Sequence, residues 1–187
     1  MILVLGGTKS GKSSFASHRA EEREHLGGVA YLATARAGDE EMRMRIRRHQ
    51  AERPVHWLTV EEPEDPAAYF RSLNDEDGPA TVLLDCLTLW LTNLLAPLGD
   101  EPDRVRALET GTAAAADLIE AVKAWENALP KGRRLCIMVS NQVETGLISP
   151  WPLGRIFQDL AGLTHQAVAA DADEVYMTAA GLPLQLK

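Results

Sequence analysis

The sequence predicts an α/β fold, in which a mostly parallel β-sheet is flanked by helices and a β-hairpin ends the chain. Short apolar runs alternate with longer amphipathic segments, the pattern of parallel strands joined by crossover helices. The chain has 187 residues, of which 45% are hydrophobic and 5% aromatic. This length suits one compact domain of roughly 150 residues or a little more. We therefore expect a single domain over residues 1–187.

Three strands and two helices are predicted in the first part of the chain. The strands are Ile2–Leu5, Val29–Thr34 and Val55–Val60. A helix over about Lys12–Glu24 follows a glycine-rich turn and ends before Gly27, since glycine commonly follows a helix. A second helix, Asp39–Arg53, is stopped by Pro54. The segment Glu61–Asp77 is rich in acidic residues and proline, so we expect a solvated connection there.

The rest of the chain supplies two more strands, two helices and a hairpin. In chain order the first segments are the strand Thr81–Leu84, the apolar stretch Leu87–Leu95, an alanine-rich helix over about Asp103–Leu129, the strand Leu135–Val139 and the helix Arg155–Ala170. The last strand is expected at Glu174–Thr178. A turn at Gly181 then leads to the short run Leu184–Leu186, which completes a hairpin.

The net charge limits the kinds of partner the chain can have. Asp and Glu number 27 against 19 Lys and Arg, which gives a formal net charge of -8. Binders of nucleic acid or membrane surfaces need a positive field, so neither class fits this composition. Any anion that the protein binds must therefore be held by a local cluster of donors.

Cysteine content and apolar runs together predict a cytoplasmic protein. Cys86 and Cys136 are too few and too far apart for a disulfide framework or a zinc site, so a reducing compartment is expected. The first apolar run is too short for a signal peptide. No stretch approaches the roughly 20 apolar residues of a membrane span. We expect no membrane span and no nucleic-acid partner.

The most specific motif is a glycine-rich loop, Gly6–Ser13, which we call the P-loop. It fits the pattern G-x-x-x-x-G-K-S/T and stands after a strand and before a helix, where phosphate binding requires it. Backbone N–H groups and the positive end of the helix would hold a polyphosphate, Lys12 would reach its β- and γ-phosphates, and Ser13 would bind Mg²⁺. The predicted nucleotide contacts are Gly6, Gly7, Thr8, Lys9, Ser10, Gly11, Lys12 and Ser13. The sheet is therefore expected to be of the P-loop NTPase type.

An acidic residue at the end of a buried strand is the usual second part of such a site. Asp85 follows the apolar residues 82–84, at the edge where ligands bind in open α/β sheets. Taken alone, an acid in this position is more often a helix cap. Beside a P-loop, we interpret Asp85 as a second Mg²⁺ ligand.

A cluster of arginines supplies the local positive charge that the whole chain lacks. Its members are Arg43, Arg45, Arg47, Arg48 and Arg53. On a helix, Met42, Ile46 and His49 fall along one stripe. One interpretation is that the two apolar side chains anchor the helix and His49 marks the edge of the buried face. The other is that neutral His49 is a nucleophile toward phosphorus, with arginines stabilising the charge of a triphosphate under attack.

Residues from one end of the chain to the other match the pattern of a known family. The matching residues are Leu3–Ser13, Tyr31–Ala35, Asp39, Glu41, Met42, Arg45, Ile46, His49, Arg53, Pro54, Trp57, Thr59, Glu61, Leu83–Thr88, Thr92–Leu95, Val139–Asn141, Phe157–Gly162 and Ala172–Val175. The sequence resembles the bifunctional adenosylcobinamide kinase / adenosylcobinamide-phosphate guanylyltransferase family of cobalamin biosynthesis.

The resemblance implies two activities. The first phosphorylates the aminopropanol hydroxyl of adenosylcobinamide with ATP or GTP. In the second, the histidine that matches His49 takes GMP from GTP as a phosphoramidate and passes it to adenosylcobinamide phosphate, which gives adenosyl-GDP-cobinamide. The implied partners are these small molecules with Mg²⁺, and the implied assembly is a homotrimer.

The resemblance also implies which residues form the site. His49 and Lys12 would be catalytic, and Ser13 and Asp85 would bind the metal. Beyond the P-loop, the implied nucleotide contacts are Ala33, Thr34, Ala35, Gln50, Ala51, Glu52, Arg53, Glu61 and Asp85.

The chain departs from the family pattern after the fifth predicted strand. Gln142 and Glu144 stand where the family usually has glutamate and glycine, and Ser149 stands where a proline is usual. This loop lies at the ligand-binding edge of the sheet, so its changes bear on the kinase step more than on guanylyl transfer. Lys9 replaces a common arginine, which weakens any bidentate phosphate contact from that position.

The residues alone leave two other functions open. Another P-loop small-molecule kinase would share the loop and the sheet, but it should carry an arginine-rich lid late in the chain, and no arginine follows Arg155. A non-catalytic GTP-binding regulatory module would need an Asn-Lys-x-Asp guanine reader. The segment Asn141–Glu144 lacks both the lysine and the aspartate of that motif.

Overall fold

A computed structural model describes residues 1–51, 53–73, 78–99 and 102–187 of the chain. Within these ranges seven strands form one sheet in the order β3-β2-β4-β5-β1-β6-β7. The strands are β1 (Ile2–Gly6), β2 (Val29–Ala33), β3 (Leu58–Glu61), β4 (Thr81–Asp85), β5 (Leu135–Asn141), β6 (Glu174–Ala179) and β7 (Leu182–Gln185). All neighbours pair in parallel except β6 and β7, which are antiparallel. The expected mostly parallel sheet and its terminal hairpin are therefore confirmed.

Six α-helices accompany the sheet in the described part of the chain. They are α1 (Lys12–Glu21), α2 (Glu40–Ala51), α3 (Pro66–Ser72), α4 (Leu87–Leu95), α5 (Arg104–Asn127) and α6 (Pro152–Asp171). Short 3-10 turns follow α1 and α4. None of the helices in these ranges is long and apolar enough to cross a membrane.

The central strands carry apolar side chains on both faces, as expected for a parallel sheet covered by helices. One face packs mainly against α3, α4, α5 and α6, and Leu3, Leu84 and Met138 belong to this cluster. The other face packs against α1, whose Ala16 and Ala20 are fully buried. The core thus holds the strands in place, and their carboxyl ends meet at one edge of the sheet.

The strand order brings three functional strands side by side. Strand β5 lies between β1, which carries the P-loop, and β4, which carries Asp85. In the register of these strands, Asn141 pairs with Gly6, and Asp85 pairs with Val139. Ligands bind in open α/β sheets at this carboxyl edge, so the topology gathers the predicted site there.

Residues 61–77 differ from the solvated connection that the sequence predicts, because part of this segment forms a helix that buries an aromatic side chain. The segment expected to be solvated, residues 61–77, contains α3, and its residues 74–77 lie outside the described ranges. Asp65 caps the helix by accepting from the backbone N–H of Ala68 at 3.0 Å, and Pro66 occupies its first turn. Phe70 is 2% exposed, and its ring centroid lies 5.5 Å from that of Trp125. Burial of this ring stabilises a helix too short to persist alone.

Several strands and helices also begin or end at other residues than the sequence predicts. Strand β3 begins at Leu58 and not at Val55, because residues 54–57 form a turn in which the N–H of Trp57 donates to the carbonyl of Pro54 at 3.1 Å. Helix α1 ends at Glu21, earlier than predicted. Helix α6 begins at Pro152, since proline is well accommodated in the first turn of a helix.

Candidate active site

The P-loop joins β1 to α1 by a tight backbone path that two glycines make possible. A Cβ atom on Gly6 would lie 2.3 Å from Oγ1 of Thr178, which is closer than any real contact. Gly11 has a φ of +97°, and a Cβ there would lie 2.9 Å from Cα of Gly181. Side chains are therefore excluded at both positions, as the phosphate-binding interpretation of the motif requires.

The terminal hairpin supports the P-loop from behind. The hydroxyls of Ser10 and Thr178 are 2.7 Å apart, and the N–H of Gly181 donates to the carbonyl of Ser10 at 2.9 Å. The side chain of Ser10 is thus used to tether the loop to β6. Lys12 is 7% exposed, and its Nζ donates to the carbonyl of Gly7 at 3.1 Å, inside the curve of the loop.

A pocket at the carboxyl edge of the sheet, which we call the central pocket, collects most of the predicted site residues. Those that line it are Lys12, Ser13, Ala33, Ala35, His49, Gln50, Arg53, Glu61 and Asp85. The other P-loop residues, 6–11, precede Lys12 and do not line the pocket. The predicted residues in the pocket therefore come from the part of the chain between α1 and the end of β4 and are up to 73 positions apart.

Outside the P-loop, two of the described predicted contacts, Thr34 and Ala51, do not line the central pocket. Thr34 is fully buried, and its hydroxyl bonds both the carbonyl and the N–H of Cys86 at 2.8 Å, so its side chain joins two strand ends. Ala51 is the exposed last residue of α2. Glu52 lies outside the described residues.

Asp85 accepts two hydrogen bonds on one carboxylate oxygen. The hydroxyl of Ser13 donates to Oδ2 at 3.2 Å, and that of Tyr31 donates to the same atom at 2.5 Å. Burial and the Asp85 carboxylate raise the pKa of Tyr31, which therefore remains a donor. The helix-cap interpretation of Asp85 is wrong, because the cap position of α4 is Cys86.

The oxygens of Ser13 and Asp85 fit a Mg²⁺ site. Mg²⁺ prefers hard oxygen ligands and is usually held by one or two carboxylates together with substrate phosphates. The serine follows the P-loop lysine directly, and its hydroxyl donates to the carboxylate of Asp85 at the end of β4. These two side chains can therefore hold a cation against a phosphate chain that lies in the P-loop.

Helix α2 forms one wall of the central pocket. Met42, Ile46 and His49 all line it, so the stripe predicted from helical spacing faces the site. His49 is half-buried and stands next to the apolar pair. The apolar residues line the wall with His49 beside them, as the nucleophile interpretation requires, and the role of His49 in the chemistry stays a prediction.

The arginine cluster divides between the pocket and solvent. Arg43 and Arg47 are exposed, and both bind Glu40, at 2.8 and 2.9 Å. Arg53 lines the pocket, with its guanidinium carbon 3.3 Å from the centre of the Tyr31 ring. Its Nε and Nη1 have no hydrogen-bond partner among the described residues. Of the arginines whose side chains are described, Arg53 is thus the one placed to meet an anion in the pocket.

Sequence reasoning missed two polar residues that line the central pocket. Tyr31 holds Asp85 and stacks on Arg53, yet a tyrosine in a buried strand gives no signal that separates it from core. Asn141 ends β5, and its Nδ2 donates to Oγ1 of Thr88 at 2.9 Å. A polar residue at the end of an apolar strand was the signal that could have identified it, as it identified Asp85.

Comparison with known proteins shows that this chain is similar to members of one protein family. Residues 2–186 match the family model described as cobinamide kinase / cobinamide phosphate guanyltransferase. The chain is 44% identical over 185 residues to the bifunctional adenosylcobalamin biosynthesis protein CobP of Pseudomonas aeruginosa, covering 99% of this chain and 96% of that protein. It is 33% identical over 189 residues to the bifunctional protein CobU of Escherichia coli, covering 100% and 99% of the two chains.

Solved structures with little sequence similarity share the fold. The flagellar accessory protein FlaH from Methanocaldococcus jannaschii aligns with a TM-score of 0.54 at 12% identity, over 100% of this chain and 77% of that one. An ATPase from the type III secretion system of pathogenic bacteria aligns with a TM-score of 0.53 at 13% identity, over 98% and 56%. These similarities confirm the P-loop NTPase-type fold.

Proposed function

The chain belongs to the cobinamide kinase / cobinamide phosphate guanyltransferase family, and on this premise we propose that its central pocket catalyses both reactions. In the first, the γ-phosphoryl group of ATP or GTP passes to the hydroxyl of adenosylcobinamide. In the second, GMP passes from GTP to adenosylcobinamide phosphate, which gives adenosyl-GDP-cobinamide and pyrophosphate. The observation that carries the proposal is that Lys12, Asp85 and His49 line one pocket.

The P-loop and two positively charged side chains, those of Lys12 and Arg53, would bind the phosphates. Backbone N–H groups of the loop, together with the N-terminus of α1, attract negative charge. Nζ of Lys12, which now donates to the carbonyl of Gly7, would instead donate to a phosphate oxygen. Arg53 would contribute Nε and Nη1, which have no hydrogen-bond partner in the described part of the chain and belong to a planar guanidinium that suits phosphate geometry.

Ser13 and Asp85 would hold Mg²⁺. When bound there, the cation neutralises charge on the phosphate oxygens during transfer. Tyr31 and Ser13 fix the orientation of the Asp85 carboxylate through their hydrogen bonds to Oδ2. Such supporting contacts are what keep a metal ligand in a productive position.

His49 would carry the guanylyl group. A ring nitrogen of neutral imidazole forms a bond to the α-phosphorus of GTP, and the bond to pyrophosphate breaks, with pyrophosphate taking the electron pair. A phosphate oxygen of adenosylcobinamide phosphate then attacks the same phosphorus, and the phosphorus–nitrogen bond breaks to restore the imidazole. Each step acts on an activated phosphorus, so the protein supplies mainly position and positive charge.

A two-step assay tests this function. Adenosylcobinamide is incubated with Mg²⁺ and either ATP or GTP, and the products are separated by chromatography. We expect ATP to give only the phosphate, and GTP to give both the phosphate and the GDP product. His49→Ala should stop at the phosphate, and Lys12→Ala should make neither product.

The matched control is His18→Ala, because His18 is an exposed histidine on α1 whose ion-pair partners are Glu21 and Glu22. It should behave as the wild type. Formation of the GDP product by His49→Ala would contradict the role of His49. Absence of any product from the wild type would favour the regulatory GTP-binding module, and phosphorylation alone would favour a simple kinase.

We also propose that one domain carries both activities and that the protein is a cytoplasmic homotrimer. The shared pocket supports the first proposal. The free cysteines Cys86 and Cys136 are compatible with a reducing compartment. Leu147, Ile148 and Trp151 are exposed apolar residues, which suits a surface covered by another subunit. Light scattering coupled to size exclusion gives the subunit number, and a monomer would contradict the trimer.

A further inference from the structure

A buried histidine lies next to the central pocket but does not line it. His165 belongs to α6 and is 4% exposed. Its Nδ1 is 2.9 Å from Oε1 of Glu144, and its Nε2 is 2.7 Å from the hydroxyl oxygen of Ser140. Ser140 is fully buried and directly precedes Asn141 of the pocket. The three side chains therefore form a continuous chain from α6 to the end of β5.

The donors and acceptors of this chain can be assigned from chemistry. Burial raises the pKa of Glu144, but hydrogen bonds from His165 and from backbone N–H groups outweigh it, so the pKa is lowered overall. The side chain is then a carboxylate, which can only accept. Nδ1 of His165 must therefore carry a proton, and in the neutral ring Nε2 accepts from the hydroxyl of Ser140.

The same carboxylate also fixes the backbone that leaves β5. Oε2 of Glu144 accepts from the N–H of Val143 at 2.9 Å. The carbonyl of Val143 accepts from Nε2 of Gln158 on α6 at 3.2 Å. The segment is thus held to α6 by one side-chain network that uses both oxygens of Glu144.

The other side of this segment is attached to the P-loop. The N–H of Gln142 donates to the carbonyl of Gly6 at 3.1 Å, and Asn141 pairs with Gly6 in the register of the sheet. Asn141 lines the pocket together with Lys12 and Asp85. Residues 140–144 therefore connect the helix-bound network to the wall of the pocket beside the P-loop.

We propose that Glu144 and His165 are positioning residues for phosphoryl transfer, which hold residues 140–144 against Gly6 and so fix Asn141 in the wall of the central pocket. This inference rests on the proposed function. The affected wall lies between β1 and β4, beside the lysine expected at the β- and γ-phosphates. His49 acts from α2, a different wall, so guanylyl transfer to it depends less on this network.

The variants Glu144→Ala and Glu144→Gln separate the contributions of the network. Alanine removes both acceptor oxygens, whereas glutamine keeps one acceptor and nearly the same shape. Glu22→Gln is the matched control, because Glu22 lies 3.5 Å from an exposed histidine, His18, outside the pocket. Kinase kcat and KM, the single-turnover rate of His49 guanylylation and the midpoint of thermal unfolding are measured for each variant.

Glu144→Ala should lower kinase kcat about tenfold, with KM for the nucleotide and the rate of His49 guanylylation changed less than about threefold. Glu144→Gln should recover part of the kcat, and Glu22→Gln should match the wild type. If Glu144→Ala does not fold, Glu144→Gln carries the comparison. Equal losses of both activities, or a lower unfolding midpoint with unchanged kcat, would overturn the proposal.

The tautomer of the His165 imidazole can be measured without an activity assay. Long-range proton–nitrogen NMR correlations distinguish the two neutral tautomers of a histidine. The wild type should show His165 protonated on Nδ1, and Glu144→Ala should shift this signal or mix the tautomers. Protonation on Nε2 in the wild type would overturn the proposal even if both reactions were catalysed. Failure of both reactions with the expected tautomer would count against the proposed function instead.

Discussion

Tyr31 and Asp85 form a 2.5 Å hydrogen bond at the carboxyl edge of the sheet, in which the phenol donates to the carboxylate that also accepts from Ser13. The same tyrosine ring carries the guanidinium of Arg53 on its face. One buried side chain thus orients both the expected metal ligand and an expected phosphate ligand. The Asp85 carboxylate and the Arg53 guanidinium are therefore both held by contacts to a single residue of β2.

Tyr31→Phe should weaken Mg²⁺ binding and leave the stacking of Arg53 intact. Loss of a side chain that supports a metal ligand commonly costs tenfold or more in affinity, so the Mg²⁺ concentration for half-maximal kinase activity should rise about tenfold. Tyr176→Phe is the matched control, since its hydroxyl donates to Glu174 at 2.5 Å outside the pocket. The same Mg²⁺ dependence in both variants would show that Tyr31 does not support Asp85.

Lys12→Ala should disable both reactions. The charge of Lys12 is aimed into the P-loop, and removal of such a preorganised donor lowers kcat/KM about 100-fold or more. Lys123→Ala is the control, because Lys123 is an exposed lysine of α5 that pairs with Asp171 outside the central pocket. Steady-state kinetics of each half-reaction measure the effect. A loss of less than about fivefold for Lys12→Ala would be incompatible with the proposed phosphate contact.

Arg53→Lys should slow guanylylation of His49 about tenfold, because lysine keeps the charge but loses the planar fork and its stacking on Tyr31. Arg47→Lys, which alters an exposed ion pair with Glu40, should have no measurable effect. Single-turnover labelling with GTP gives both rates. Equal rates for the two variants would exclude a specific role for Arg53.

Phe70→Ala should destabilise the fold by about 3–5 kcal/mol, since it leaves a cavity where the ring packs on Trp125. Leu163→Ala, at an exposed position of α6, should cost about 0.5 kcal/mol or less. Urea denaturation measures both free energies of unfolding. A similar cost at the two positions would mean that α3 is not anchored by this contact.

The network at His165 predicts how stability depends on pH. The pKa of Glu144 is below its ordinary value of 4.5, so the folded state favours the carboxylate. Its stabilising effect is complete above that ordinary value and is lost as the pH falls through the lower folded value. The difference in unfolding free energy between wild type and Glu144→Gln should therefore be larger at pH 7 than near pH 3. A difference that does not change with pH would contradict an ionised Glu144.

The parts of the fold that follow from local pattern were predictable. Apolar runs identified the parallel strands, and the glycine-rich motif placed the P-loop between β1 and α1. The helical spacing of Met42, Ile46 and His49 predicted that these residues share one face of α2, and that face lines the pocket. These predictions succeed because each depends on a few neighbouring residues and one repeating geometry.

Features that depend on distant partners were not predictable from one sequence. Helix α3 exists because Phe70 packs on Trp125, which is 55 positions away. The arginine cluster gave no sign that Arg43 and Arg47 bind Glu40 while Arg53 enters the pocket. Likewise Thr34 matched a nucleotide contact, but its hydroxyl is taken by the backbone of Cys86.

The central claim is that His49, in the pocket that also holds Lys12 and Asp85, takes the guanylyl group from GTP. Incubation with α-labelled GTP and Mg²⁺ tests it most directly, followed by denaturation and treatment with acid or alkali. We predict label on the wild type and on His18→Ala that is labile in acid and stable in alkali, and no label on His49→Ala. An unlabelled wild type, or label that persists on His49→Ala, would contradict the claim.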